Sequence, residues 1–510
     1  MNDTPLLLGL DLGSTNIKAV IYEPDGTSVA RASVPCPTHY PQAGWANYDI
    51  EELWLTCVDA MRRAVSQVEQ PERIVGVAVG SFGEAGALLD ANDEPVAEMI
   101  AWFDQRCRVQ YERMVDGADP DRLFAVTGTT VQQIMTGPKI MWHRDQDPEA
   151  YARATSWLNA ADYIAFRLCG VKAQSKSLAS RTGLIDLRAG DWSDELLGLA
   201  DIDRALLPPV LDGGEPLGPV LPDVQRQTGL TDNALVAVGG HDHPCGAFAA
   251  GAIRHGDFLD SMGTTECTFL AIDRPLDDQT IGRQGYSLGA HARGSFYMYG
   301  GLYTAGIAYD WFKHLAADEV SHDAVLASAG SVTAGSGGVV FIPHLRLSNT
   351  PYPDSRVRAA FVGLTAGTDT PTLVRSVLEG VAFEARAASE PLFTHAGLPV
   401  PDDCVVVGGT ARNNLLLRIK ASVQHQRMHV LDIDEAGALG VAMLAGIAAG
   451  VYETVDEAAA AIKRPEHIIE PVTADYPVYD ALFAEVYQHM YPTLAPFNHF
   501  LFDHFTGQQL

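Results

Sequence analysis

The chain opens on a nearly unbroken apolar run, Leu6–Leu10, which predicts a strand buried on both faces. A small polar stretch, Asp11-Leu-Gly-Ser-Thr, follows as a tight turn. Ile17–Tyr22 forms a second strand, closed by Glu-Pro-Asp-Gly at 23–26. Ile50–Val68 then carries apolar residues at helical spacing (Leu53, Cys57, Met61, Ala64), and Ile74–Val79 is again a buried strand. Residues 105–235 read as mostly helical with long connections. Thr155–Leu168 illustrates the first, and Pro208–Gly229, rich in proline and glycine, the second. Ala234–Val238 is a strand that runs into Gly239-Gly240.

The opening pattern recurs further on. Gly256–Ser261 is a short strand, Met262-Gly-Thr-Thr a turn and Glu266–Ile272 a strand, much like the first hairpin. The match is too short to prove a duplication. Beyond it the pattern is α/β, with strands at Gly337–Pro343 and Asp403–Val407 and helices at Pro371–Ala388 and Asn413–Gln424. Ala436–Ala449 is a helix of small residues able to pack very closely. Two domains are expected, 1–247 and 248–510. No low-complexity linker parts them, so they pack together with a cleft between.

Composition narrows the function classes. The chain has 510 residues, 47% hydrophobic and 19% charged, an ordinary soluble balance and too long for one core. Its net charge of −29 repels phosphate backbones and anionic lipid, which argues against nucleic-acid and membrane-surface roles. No run approaches the ~20 apolar residues of a membrane span. The N-terminus lacks a basic region before its apolar run, so it does not read as a signal peptide. Seven scattered cysteines without a CxxC pair read as reduced thiols in a cytoplasmic protein.

Three turns carry candidate chemistry. In Asp11-Leu-Gly-Ser-Thr, small residues let backbone amides approach an anion, Ser14 and Thr15 add hydroxyls, and Asp11 could hold Mg²⁺ directly or through water. Gly263-Thr264-Thr265 is a second turn of the same kind, so one polyphosphate could be gripped from both sides. In Val405–Asn414 a buried strand ends in Gly408-Gly409 and a helix starts just beyond, the geometry of a crevice that favours anions or polar rings. Each turn has a plainer reading as a capped hairpin or corner. No Walker A sequence and no GxGxxG after a strand is present.

In Gly239-Gly-His-Asp-His-Pro-Cys-Gly-Ala, His-x-His invites a metal, but no third ligand is evident nearby. In an extended segment Asp242 would face opposite to His241 and His243. A carboxylate ending a buried strand at a cleft suits a general base, and a helix cap after Gly-Gly suits it equally on local sequence. Two polar clusters in the first half match sugar binding. Glu84 follows a strand in Gly80-Ser-Phe-Gly-Glu, and Trp102-Phe-Asp-Gln-Arg sets an indole beside Asp104 and Arg106. Core packing for Trp102 and a surface pair for Asp104 and Arg106 are the alternatives.

Taken in order, these segments resemble the FGGY carbohydrate kinases of the actin-like ATPase superfamily over nearly the whole length. The likeness runs through "GWANYDIEELW", "AWFDQRC", "SLASRTGLIDLRAGDW", "GGHDHPCGA", "SMGTTE", "TPYPDSRVRAAFVGL", "EGVAFEAR" and "VVVGGTARNNLLLRIKASV". The resemblance implies an α/β fold of two ribonuclease-H-like domains with ATP in the cleft. It implies Asp242 as general base and sugar contact, and Asp11 as the Mg²⁺-associated carboxylate. Ser14, Thr15, Gly263, Thr264 and Thr265 match the phosphate hairpins. Gly306, Asp310, Gly409 and Asn413 match positions beside the nucleoside, and Glu84, Trp102 and Asp104 positions that meet the sugar. "AWFDQRC" is similar to xylulokinases, so a ketopentose such as xylulose is the expected substrate. Those enzymes place Met-His where this chain has Gly83-Glu84, and a glutamate there is more like glycerol kinases. A sugar alcohol, or another ketose or deoxyketose, is therefore the second expectation. A catalytically inactive sugar or nucleotide sensor is the alternative of another class, and a homodimer is the assembly that the resemblance leaves open.

Overall fold

The computed structural model describes residues 4–263, 265–317 and 320–506, so Thr264 lies outside the described residues. Strands β1 (Leu6–Leu12), β2 (Asn16–Tyr22), β3 (Ser28–Pro35), β4 (Ile74–Ser81), β5 (Pro216–Pro219) and β6 (Leu235–His241) form one sheet in the order β5-β6-β4-β1-β2-β3. Strands β7 (Phe258–Met262), β8 (Glu266–Ile272), β9 (Ser287–Ala290), β10 (Phe296–Leu302), β11 (Asp403–Val407), β12 (Arg427–Leu431) and β13 (Glu466–Ile469) form another, ordered β9-β10-β8-β7-β11-β12-β13.

The same five-strand unit stands in both sheets. In the first, β1, β2 and β3 are an antiparallel meander, and β4 and then β6 add in parallel beside β1. In the second, β7, β8 and β10 make the meander, with β11 and β12 in parallel. The recurrence that a short sequence match could not prove is thus a repeat of topology.

The helices that matter for the site are α1 (Ile50–Val65), α2 (Thr136–Gln146), α3 (Ala160–Cys169), α4 (Asp242–Ala250), α5 (Gly306–Ala317), α6 (Thr370–Ala396), α7 (Asn414–Gln424) and α8 (Ala436–Ala448). Leu8, Leu10 and Leu12 of the first sheet pack on Leu53 and Cys57 of α1 and Ile164 of α3. The other face of that sheet receives α8, from the second half of the chain, through Leu7, Ala78 and Ala438. The approach is very close, since a Cβ on Gly9 would fall 1.9 Å from the Ala438 carbonyl oxygen. The second sheet packs α6 and α7 on one face and, through Leu259 and Phe269, Ala247 and Ala250 of α4 on the other. Each half thus lends a helix to its neighbour, and the two exchanged helices touch. Their small residues permit it, and the cleft opens at the carboxyl ends of the parallel strands.

Several element expectations need correction. Thr155–Leu168 is not one helix: Ser156–Asn159 is a strand paired with Gly86–Leu89, and α3 begins at Ala160. Long-range pairing overrides the local helical pattern there. Pro208–Gly229 is not plain connection. It holds β5, whose prolines sit on a sheet edge where a missing donor does no harm, and a helix, Pro222–Thr228, opened by proline in its first turn. Helix α6 runs on to Ala396 past Pro391, beyond the expected Ala388. No described helix is long and apolar enough to cross a membrane, and the seven cysteines are unpaired.

Candidate active site

Register sets the site. Asp11 of β1 pairs with Gly80 of β4, and His241 of β6 with Ser81, so three parallel strands end side by side. Ligands gather at such carboxyl ends. A cavity of about 390 Å³ lies beyond them, between the two halves. Glu84, Trp102 and Asp242 line it from the first half, and Thr265 and Tyr299 from the second.

Asp242 is the first residue of α4, directly after the strand residue His241. The expectation that Asp242 faces away from both histidines is therefore wrong. Strand alternation stops at His241, the chain turns into a helix, and all three side chains line the cavity. The His241 Nε2 lies 3.1 Å from Asp242 Oδ1, which also accepts the His243 backbone N–H at 2.7 Å. Burial pushes the Asp242 carboxyl above its ordinary range, against the opposing pull of His243. Burial, with His243 and Arg181 nearby, holds the His241 ring far below its usual range, so it is neutral, and its Nδ1 has no partner. Among the described residues no group of three or more His, Cys, Asp or Glu is arranged to hold a metal ion.

Glu84 sits at φ 61°, a left-handed conformation that is strained for glutamate. Contacts at both ends maintain it. Arg181 donates from Nε at 2.7 Å and lies 2.6 Å away through Nη2, both to Oε1. Lys139 of α2 donates to the Glu84 carbonyl at 2.8 Å. The same ammonium reaches the carbonyls of Ala101 at 2.9 Å and Trp102 at 3.3 Å, joining the two loops that carry Glu84 and Trp102. Arg181 also donates to the Tyr299 hydroxyl at 3.0 Å, across the cleft. Burial alone would weaken its charge, but Glu84 and the tyrosines outweigh that and hold the guanidinium protonated. The Trp102 indole N–H is buried without a partner, a donor aimed at nothing in the protein.

Asp104 does not reach the cavity, which corrects its expected contact with substrate. Its oxygens accept the backbone N–H groups of Ala46 at 2.6 Å and Arg106 at 2.8 Å and the Arg106 guanidinium at 2.5 Å. Arg106 in turn stacks 4.0 Å over Trp45. The pair is buried, not the surface pair considered above, and it braces the Trp102 loop.

Asp11 lies beside α8, where a Cβ on Gly437 would come within 3.2 Å of Oδ2. Its Oδ1 is buried without a partner, and burial together with Asp242 pushes its carboxyl up to about 7. Ser14 and Thr15 are exposed at the tip of the β1–β2 turn, outside the cavity. On the second sheet, the Gly263 carbonyl accepts the Thr410 hydroxyl at 2.9 Å, and a Cβ on Gly306 would fall 2.9 Å from that same carbonyl. Gly263, Gly306 and the 3₁₀ turn Gly409–Arg412 are thus brought together at the start of α5. Asp310 is exposed one turn along α5, and Asn413 caps α7 by accepting the Leu416 N–H at 3.1 Å.

Arg181, Lys139 and Tyr299 escaped the sequence reading. Arg181 lies within the family-like run "SLASRTGLIDLRAGDW", but nothing local in that run tells a buried arginine from a surface one. Lys139 had a signal, since it stands one helical turn from both Met135 and His143, on a buried face.

Two copies of one ribonuclease-H-like unit, exchanging helices around a polar cleft, define an actin-like ATPase. Comparison with known proteins narrows this. Residues 6–249 match the FGGY family of carbohydrate kinases, N-terminal domain, and residues 260–449 its C-terminal domain. A xylulose kinase of Bacillus subtilis is 28% identical over 96% of this chain and 98% of its own length. An L-xylulose/3-keto-L-gulonate kinase of Escherichia coli is 27% identical over 97% of this chain and 98% of its own. The crystal structure of xylulose kinase from Rhodospirillum rubrum aligns with a TM-score of 0.89 at 28% identity, covering 97% of this chain and all of that one. The chain belongs to the FGGY family of carbohydrate kinases. It is an ATP-dependent sugar kinase of xylulokinase-like type.

Proposed function

We propose that the chain transfers the terminal phosphoryl group of ATP to a hydroxyl of a ketopentose such as xylulose, with Asp242 as the general base. Residues 1–247 hold the sugar and the base, and 248–510 hold the nucleotide. The observation that carries the reading is the carboxylate of Asp242 on the wall of a cavity whose opposite wall includes Thr265 and Tyr299.

Phosphoryl transfer asks for positioning, charge neutralisation and an in-line nucleophile. Asp242 accepts the hydroxyl proton as the new P–O bond forms. The His243 N–H fixes the carboxylate, and neutral His241 adds no charge that would lower its basicity. The partnerless Trp102 N–H donates to a sugar oxygen while the indole covers an apolar face of the sugar. The turns at Ser14-Thr15 and Gly263–Thr265 offer amides and hydroxyls to the phosphates, and Gly306, Asp310, Gly409 and Asn413 border the nucleoside. Asp11 suits Mg²⁺, because it keeps a buried carboxylate oxygen with no protein partner. A bound Mg²⁺ supplies charge neutralisation to the phosphates. Closing the halves excludes water and limits wasteful hydrolysis.

One observation favours a second reading. Arg181 engages only Oε1 of Glu84, which leaves Oε2 to accept a hydroxyl at the position where xylulokinases carry histidine. A sugar alcohol, or another ketose or deoxyketose, would use it, and the Escherichia coli relative named for two substrates fits such variation. A coupled ATP-depletion assay across ketoses and polyols separates the two. Preference for D-xylulose that survives Glu84→Gln supports the first reading. Preference for another polyol or ketose, lost in Glu84→Gln, supports the second. No turnover with any sugar would overturn both.

A further inference from the structure

On the core side of the second hairpin, two acids flank the turn, Asp260 on β7 and Glu266 on β8, and Lys420 of α7 reaches between them. All three side chains are fully closed to solvent. The Lys420 ammonium donates to Glu266 Oε1 at 2.8 Å and, in a shorter contact, to Asp260 Oδ2. The remaining oxygens, Asp260 Oδ1 and Glu266 Oε2, have no partner. Two carboxylates and one ammonium leave a formal surplus of negative charge in a dry place. Burial and the neighbouring Asp260 push the Glu266 carboxyl above its ordinary range, against the opposing pull of Lys420.

An apolar core would fasten this hairpin at less electrostatic cost. A buried ion cluster differs in being directional: it accepts one spacing between the groups it joins. Here the joined parts are the β7–turn–β8 hairpin, carrying Gly263 and Thr265, and helix α7, which Asn413 opens. The hairpin tip is tied to the same segment by the Thr410 hydroxyl on the Gly263 carbonyl. The hairpin is thus tethered to one stretch, 410–420, at tip and base.

We propose that Lys420 is a positioning residue for the nucleotide, setting the distance between the phosphate hairpin and the start of α7 by holding Asp260 and Glu266. The inference rests on the reading above that these two elements are the walls of the nucleotide site.

Two variants of the full chain test it. Lys420→Met removes the tether and leaves two buried acids. The triple variant Asp260→Leu, Glu266→Met, Lys420→Met removes all the buried charge and is expected to fold, since a buried ion cluster is replaceable as a whole by apolar side chains of similar volume. Calorimetric titration with ATP alone, and steady-state KM values for ATP and for sugar, are the readouts. The triple variant should keep its melting temperature yet bind ATP about tenfold more weakly, while the KM for sugar stays within about twofold. A stable triple variant that binds ATP like the unaltered chain would overturn the inference alone, as would equal weakening of ATP and sugar. An unaltered chain that binds no ATP would overturn the underlying reading and this inference together.

Discussion

The two hairpins that open the two halves differ by the placement of one acid. Asp11 stands two residues before Gly13, and Asp260 three residues before Gly263. Successive residues of a strand face opposite ways, so this single step sends the acids to opposite faces. Asp11 faces α8 and the cleft, near Asp242. Asp260 faces the core at the place corresponding to Leu10, and Lys420 neutralises it. On the proposed reading, the first half therefore presents carboxylates to the ligands, and the second presents glycines, hydroxyls and backbone. On that reading, one topology is divided between acid chemistry and anion binding by which side of a strand an aspartate occupies.

The largest effect should come from forcing the second arrangement onto the first. Leu10→Asp places an acid in the packed core of β1, with no ammonium to meet it. We expect a loss of about 3–5 kcal/mol, a large share of an ordinary folding stability. Chemical denaturation would check it, and a stable Leu10→Asp chain would mean that the two hairpin cores are interchangeable.

A smaller effect should sharpen the contrast from the other side. Gly408 has φ 106°, and a Cβ there would fall 2.3 Å from the Met262 carbonyl oxygen, beside the second hairpin. Gly408→Ala should cost about 1–3 kcal/mol and raise the KM for ATP more than that for sugar. An equal rise in both would show that the second sheet does not hold the nucleotide by itself.

A third contrast concerns a buried acid that lacks a lysine. Asp162 of α3 accepts one backbone N–H, from Ser175 at 3.0 Å, its Oδ2 has no partner, and burial pushes its carboxyl up to about 8. Its folded-state value lies above the unfolded one. The stability it contributes is thus complete below about pH 4 and is lost as pH rises toward 8. The melting temperature should fall between pH 5 and pH 8, and Asp162→Asn should flatten that slope, which differential scanning calorimetry can follow. An unchanged slope would assign the pH dependence to other groups.

Most strands bordering the site were legible in the chain, because a buried parallel strand is a short apolar run and its ends are marked by glycine. β8 and β11 have the bounds read from the sequence, and β1 extends by only two residues. The packing of α8 against the first sheet was foreshadowed by its small residues, but not which sheet would receive it. Asp242, Glu84 and Trp102 were legible as polar residues following apolar strands or beside an aromatic. Asp104 misled because its Trp-x-Asp-x-Arg setting looks the same whether the acid meets a sugar or an arginine. Arg181 and Lys420 were hidden for a related reason. Both are buried cations whose partners lie about 100 or more residues away in the sequence, and no local pattern encodes such a distance.

The division of labour stands or falls on Asp242. Asp242→Asn keeps the shape and hydrogen-bonding reach of the side chain while removing its basicity. Turnover in the kinase assay should fall by about 10²–10⁴, with calorimetric affinities for sugar and for ATP unchanged within about twofold. Turnover equal to that of the unaltered chain would contradict the account.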